Sequence, residues 1–258
     1  MDKKIIFFDI DGTLLDHDKK LPASTKKSVQ KLKQQGHEVA IATGRAPFVF
    51  ENICKELQIN TYVGLNGQYV VHDNEIIYKN PINLDQLNIL QEHSQAKAHP
   101  LLFINDKEWN VTMDNHPHVE EAIGSLKMGE QFTRNVADHS LSERFQAMLF
   151  CQQGEETYYK NEFPAFNFVR WHDYSVDVLP KGSSKAVGIE KLLEALTLEK
   201  SNAYAFGDGL NDREMLSFIP NSVAMGNAVD AVKSSAKYVT KDVDDDGIFY
   251  GLKKLGLI

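Results

Sequence analysis

A chain of 258 residues admits one large domain or two modest ones, and a net charge of −8 disfavours nucleic acid and an anionic membrane surface as partners. Its two cysteines, Cys54 and Cys151, stand far apart with no Cys-x-x-Cys pattern, so no disulfide framework is expected and a reducing, cytoplasmic setting is. No apolar run reaches the roughly 18 residues of a membrane helix, and the one after Lys4 is too short for a signal segment.

Residues 4–10 are almost wholly apolar, which predicts a strand buried on both faces of a parallel sheet. Asp9 and Asp11 then fall at its C-terminal end, the edge where open α/β sheets bind ligands. Residues 21–36 read as a helix, with Ser24 or Thr25 as cap, Val29 and Leu32 on one face, and Gly36 as the stop. A second strand ends at Thr43, a helix covers 47–57, and a third strand ends near Asn66, where Asn-Gly also reads as a hairpin turn. This β-α-β-α-β order predicts a doubly wound parallel sheet with right-handed crossovers.

Between about residues 82 and 179 the texture changes, and six of the nine histidines and 12 of the 25 aromatics lie there. Four half-buried strands ("PLLFIND", "WNVTM", "FQAMLFCQ", "FNFVRWH") and helices at 84–95 and 118–125 predict an inserted α+β domain. The alternation then resumes. A helix starts near Lys185, with Val187, Leu192 and Leu196 on one face. A strand ends in Gly-Asp-Gly, a helix covers "NDREMLSFI", and a strand, a helix and a final strand follow.

Polar residues now mark four positions: Asp9 and Asp11; Thr43 with Gly44 and Arg45; the turn before Lys185; and Asp208 with Asn211 and Asp212. In a doubly wound sheet these edges converge. Asp9, Asp11 and Asp208 would repel one another unless a divalent cation sat among them, and an oxygen-only set suits Mg²⁺ rather than Zn²⁺. A carboxylate there can attack phosphorus to give an aspartyl-phosphate. Thr43, Lys185 and the backbone N–H groups of Ile10, Asp11 and Gly44 would hold the phosphoryl oxygens, and Asp11 would give a proton to the leaving alkoxide and then activate water.

The segments "DIDGT", "ATGR", the Lys185 of "PKGSSK" and "GDGLND" resemble, in order and spacing, the four motifs of haloacid dehalogenase superfamily phosphatases. The insertion between the second and third resembles a C2 cap, and the tail "VAMGNA…AKYVT…DDDGI" resembles the Cof-type branch, class IIB. The resemblance implies a catalytic core at 1–81 and 182–258 and a specificity-setting C2B cap at 82–181. It implies Asp9 as nucleophile and Mg²⁺ ligand, Asp11 as acid/base and main-chain ligand, and Asp208 and Asp212 at the metal. Thr43, Gly44, Lys185 and Asn211 would sit at the phosphate. The substrate implied is a small phosphorylated metabolite: a sugar phosphate, a nucleotide or a cofactor precursor. Arg45, Asn66, Trp171 and His172 are candidates for contact with it. A phosphomutase shares the aspartyl-phosphate, and a phosphate-binding sensor shares the pocket.

Other patterns point elsewhere. Lys181 and Lys191 rival Lys185, but Lys185 stands best relative to the helix start. "DVDDDG" at 242–247 suggests an EF-hand, yet its twelfth position is Lys253 instead of Glu. His93, His99, His116, His118 and His139 show no recurring metal-ligand spacing.

Overall fold

The computed structural model describes residues 3–113, 115–126, 134–136 and 143–258. The chain divides into two compact units, one within residues 1–45, 50–79 and 184–258, the other at 46–49 and 80–183.

The first unit opens with β1 (Ile5–Phe8), α1 (Ala23–Gln34), β2 (Glu38–Ala42), most of α2 (Pro47–Leu57), β3 (Tyr62–Gly64), β4 (Tyr69–His72) and β5 (Glu75–Lys79). All four residues of β1 are fully buried, and their alternation explains why the run is apolar throughout. Ile6 and Phe8 pack with Val29, Leu32, Phe50, Ile248 and Leu252, whereas Ile5 and Phe7 pack with Ile189, Leu192, Met215 and Val232. Each such side chain removed from water contributes roughly 1.5–3 kcal/mol.

The second unit carries α3 (Leu84–Ala96), β6 (Leu101–Ile104), β7 (Trp109–Val111), α4 (Pro117–Ser125), β8 (Arg134–Val136), β9 (Gln146–Phe150), α5 (Glu156–Glu162), β10 (Phe166–His172) and β11 (Ser175–Pro180). Its six strands run in the order β10-β11-β9-β6-β7-β8, antiparallel except for β7 with β8. One face buries Phe103, Leu149, Val176 and Phe168 against Leu90 of α3 and Tyr159 of α5. Arg170 forks onto Glu156, with Nη2 2.6 Å and Nε 3.1 Å from its two oxygens.

The chain returns to the first unit with α6 (Lys185–Leu196), β12 (Ala203–Gly207), α7 (Arg213–Phe218), β13 (Asn221–Ala224), α8 (Asp230–Lys233), β14 (Tyr238–Val239) and α9 (Gly247–Lys254). The large sheet has the order β14-β13-β12-β1-β2-β3-β4-β5. It is parallel from β14 to β3, and β4 and β5 add an antiparallel edge. Among the described residues no helix is long and apolar enough to cross a membrane.

Several expectations need correction. Neither Ser24 nor Thr25 caps α1: Pro22 takes that position, and Thr25 is buried on the face that carries Val29 and Leu32. Val187 lies off the buried face of α6, which runs through Lys185, Ile189 and Leu192, because Lys185 must face the interior carboxylates. The third strand stops at Gly64, since Leu65 and Asn66 both adopt positive φ in the turn to β4. In the second unit, β6, β7 and β9 are buried along their whole length, not half-buried.

Helix α6 packs closely on the β3–β4 turn. A Cβ at Gly188 would lie 2.5 Å from Val63 Cγ1 and 2.7 Å from Gly67 Cα. Alanine gains about 1 kcal/mol of helix propensity over glycine, but overpacking costs about 1–3 kcal/mol. Urea unfolding of Gly188→Ala should therefore show a net loss of stability, and a more stable variant would contradict this packing. For the second unit, the bonds from Arg170 pull Glu156 from its ordinary 4.5 to about 2, against the opposing effect of burial. A depressed carboxylate stabilises the fold fully above its unfolded value and loses that contribution as pH falls towards about 2. Arg170→Leu should lower neutral-pH stability by about 3 kcal/mol by leaving Glu156 buried with backbone donors but no cation. The variant's stability should also change less than the parent's between pH 4.5 and about 2, as read by denaturant midpoints.

Candidate active site

Asp9 follows β1 directly and extends its ladder, its N–H donating to Phe206 O at 3.0 Å. The chain then folds back, with Leu15 N–H on Ile10 O at 2.8 Å and Gly12 N–H on Leu15 O at 2.9 Å. Gly12 has φ +76°, and a Cβ there would stand 2.2 Å from Asp208 Oδ2. Only glycine permits this approach. Thr13 Oγ1 donates to Asp208 Oδ1 at 2.8 Å, joining the loops after β1 and β12.

After β12 a single tight turn brings Asp212 back beneath Asp208. The backbone N–H groups of Asp208 and Gly209 donate to Asp212 Oδ2 at 2.9 and 2.8 Å. Its other oxygen takes Lys185 Nζ at 2.6 Å, and the same ammonium lies 2.5 Å from Asp9 Oδ1. Lys185 and Asp212 are fully buried, and Asp9 is nearly so. Ligand oxygens of Asp9, Asp208 and Asp212 lie within 4.8 Å of one another.

Three carboxylates thus face one ammonium, and the imbalance is visible in their acidities. Burial raises Asp9 well above the ordinary carboxylate range; Lys185 opposes this, while Asp212, Asp208 and Asp11 add to it. Asp208 is pushed up to about 7, first by burial and then by Asp212. Burial alone would lower Lys185, but Asp212 and Asp9 outweigh it and raise its pKa. Buried carboxylates short of positive charge, offering only oxygen, fit a hard divalent cation.

On the other side of β1, Thr43 N–H donates to Val63 O at 2.8 Å and Thr43 Oγ1 accepts the Arg45 N–H at 3.1 Å. Gly44 lies against the Asn66 amide, which a Cβ would approach to 3.0 Å. Asn66 N–H donates to Thr43 O at 3.0 Å, and Asn66 Oδ1 accepts Asn211 Nδ2 at 3.1 Å. Asn66 therefore makes the turn that its Asn-Gly pair implies, and it joins two loops of the cluster.

Arg45, a candidate for substrate contact, meets Asp11, with Nε 2.8 Å from Oδ2 and Nη2 2.5 Å from Oδ1. Lys19 Nζ adds a third donor at 2.6 Å from Oδ1. Burial would raise the Asp11 carboxyl, but the bonds and charges of Arg45 and Lys19 win and lower it. Its carboxylate thus stands apart from the acidic trio.

Of the rival lysines, Lys191 pairs with Glu194 at 2.9 Å and Lys181 is exposed in the second unit. Trp171 and His172 also belong to the second unit, at the end of β10 with ring centroids 5.6 Å apart. Asp242 and Asp244 are not part of the trio; they lie 3.8 and 3.6 Å from His17. Among the described residues the histidines of the second unit form no group of three potential ligands, and His139 lies outside those residues. His93 and His99 instead meet Tyr158 and Tyr159 hydroxyls at 2.7 and 2.9 Å.

Sequence reasoning missed Lys19 and Asn227. Asn227 Nδ2 donates to Gly12 O at 2.9 Å and Asp208 Oδ2 at 3.2 Å, and its Oδ1 accepts Val243 N–H at 3.0 Å. The available signal was its place in a Gly-Asn turn just after β13, one more C-terminal strand end at the same edge.

Residues 6–252 match the family model of haloacid dehalogenase-like hydrolases. The chain is 48% identical to YkrA of Bacillus subtilis (strain 168) over 258 residues, covering all of both chains. A hypothetical protein from Geobacillus kaustophilus HTA426 superposes with a TM-score of 0.92 at 49% identity, over 99% of this chain and 100% of that one. The subclass IIB sugar phosphatase BT4131 superposes with a TM-score of 0.87 at 30% identity, again over 99% and 100%. With the family model spanning nearly the whole chain, and a phosphatase of subclass IIB sharing its fold from end to end, this protein belongs to the haloacid dehalogenase-like hydrolases and is a phosphatase.

Proposed function

We propose that this phosphatase hydrolyses small phosphorylated metabolites in two steps through an aspartyl-phosphate on Asp9. The observation that carries this is the buried Lys185 ammonium bridging Asp9 and Asp212 beside Asp208. Lys185 opposes the burial that would protonate Asp9 and so favours the carboxylate that attacks phosphorus. As it bonds to phosphorus, the ester P–O bond breaks and Asp11 gives its proton to the leaving oxygen. Water then attacks phosphorus, Asp11 takes the water proton, and inorganic phosphate leaves with Asp9 restored.

Thr43, the Gly44 backbone, Lys185 and Asn211 bind the transferring phosphoryl group. Asp9, Asp208 and Asp212, with the main chain of Asp11, would hold Mg²⁺. When bound, the metal neutralises charge and orients the phosphate. The sheet unit inserted between β5 and α6 acts as the cap, in the sense of a core at 1–81 and 182–258 and a cap at 82–181. Trp171 and His172 are the candidates for contact with the leaving group, as aromatic and imidazole rings suited to stack on it. A sugar phosphate is one fitting substrate, supported by the sugar phosphatase that shares the fold. The substrate pool is cytoplasmic, consistent with the free thiols of Cys54 and Cys151.

Asp9→Asn should lower phosphate release from a panel of metabolite esters by about 10³-fold or more while leaving the circular dichroism unchanged. Near-parental turnover would remove Asp9 as nucleophile. Chelation with EDTA should abolish release and added Mg²⁺ should restore it; metal-independent turnover would remove the cation from the reaction. Isomerised sugar phosphate without free phosphate would identify a mutase instead.

A further inference from the structure

We propose that Asn227 is a positioning residue for Asp208 and that it sets the preference of the acidic cluster for Mg²⁺ over the larger Ca²⁺; this rests on the reading of Asp208 as a Mg²⁺ ligand given above. Asn227 stands in the turn after β13, and its backbone is held from both sides. Met225 N–H donates to Gly207 O at 3.0 Å, Gly226 N–H donates to Lys241 O at 2.8 Å, and Ala228 N–H donates to Met225 O at 3.1 Å. A Cβ at Gly226 would stand 2.5 Å from the Asp242 nitrogen, so glycine lets the turn seat closely on the next segment.

The Asn227 amide uses both of its ends. Its nitrogen donates to Gly12 O at 2.9 Å and to Asp208 Oδ2 at 3.2 Å, and its oxygen accepts Val243 N–H at 3.0 Å. These partners decide which end is nitrogen. An aspartate in its place could not donate, and a serine would lack the second end. Thr13 Oγ1 donates to the other Asp208 oxygen at 2.8 Å. Each oxygen of Asp208 thus carries one neutral side-chain donor, and the carboxylate cannot turn without breaking a bond. Both oxygens keep lone pairs, so the group is oriented without being used up. Mg²⁺ demands short, near-octahedral oxygen contacts, whereas Ca²⁺ accepts longer and more varied ones. A carboxylate held in one orientation favours the smaller ion, and one free to turn serves the larger ion as well.

The test is calorimetric titration of the metal-stripped enzyme with MgCl₂ and with CaCl₂, in the absence of substrate. Asn227→Ala should weaken Mg²⁺ binding by about tenfold or more, the range that hydrogen-bond partners of metal ligands command, and Ca²⁺ binding by far less. An equal loss for both ions would assign Asn227 to loop structure alone, and an unchanged Mg²⁺ affinity would remove it from the metal site; both overturn the proposal. If the alanine variant does not fold, the unaltered enzyme decides by NMR. The Asn227 carboxamide N–H signals should shift as Mg²⁺ is added, with the midpoint of metal binding, and signals that stay in place overturn the proposal. Asp208→Asn is the control: if it binds Mg²⁺ as the parent does, the reading of Asp208 as a ligand itself fails.

Discussion

Lys185 is a cation with no access to water, and its ammonium is tolerable only because Asp9 and Asp212 accept its hydrogen bonds. That requirement reaches far into the structure. It fixes the rotation of α6, so that Ile189 and Leu192 face the sheet with it. It needs Asp212 held from behind, which the backbone of the turn after β12 does. It also brings α6 so near the β3–β4 turn that Gly67 and Gly188 leave no room for side chains. The same pair of carboxylates, with Asp208, remains one positive charge or more short of balance. A site of this kind is prepared for a cation and an anion together.

Much of this was legible in the sequence for one reason: strands buried on both faces must be apolar, so a polar residue directly after one is conspicuous. Asp9, Asp208 and Thr43 announce themselves in this way, and Lys185 does so by standing at a helix start. The first helix was legible from its periodicity, and four of the six strands of the inserted segment from their apolar runs. What the sequence did not show was mostly side-chain direction. Val187 and Ile189 are both apolar, and only the demand of Lys185 decides which faces inward. Arg45 is a strand-end cation whether it meets a substrate or, as here, Asp11. Helix α9 was hidden by the acidic run before it, although Ile248 and Leu252 carry helical spacing. Strand β11 and helix α5 lie in a segment rich in polar and aromatic residues, where neither period stands out.

The loops of the site serve one another as much as they serve chemistry. Thr13 ties the first loop to Asp208, and Asn227 ties both to the segment at Val243. Asn66 ties the Thr43 loop to Asn211. Thr13 and Asn227 satisfy backbone or carboxylate groups of the loops they join, and Asn66 takes the amide of Asn211.

The central place of β1 bears on how the chain reaches this state. β1 pairs with β2 on one side and with β12 on the other, and Thr13 and Asp208 meet across 195 residues of sequence. Until β12 has been synthesised, one edge of the most apolar strand has no partner. During synthesis the inserted unit emerges while that edge is open, so the nascent chain carries an aggregation-prone seam that only its last third can close. The acidic cluster is completed by that same event, so the chain cannot bind a cation at this place before its core is whole.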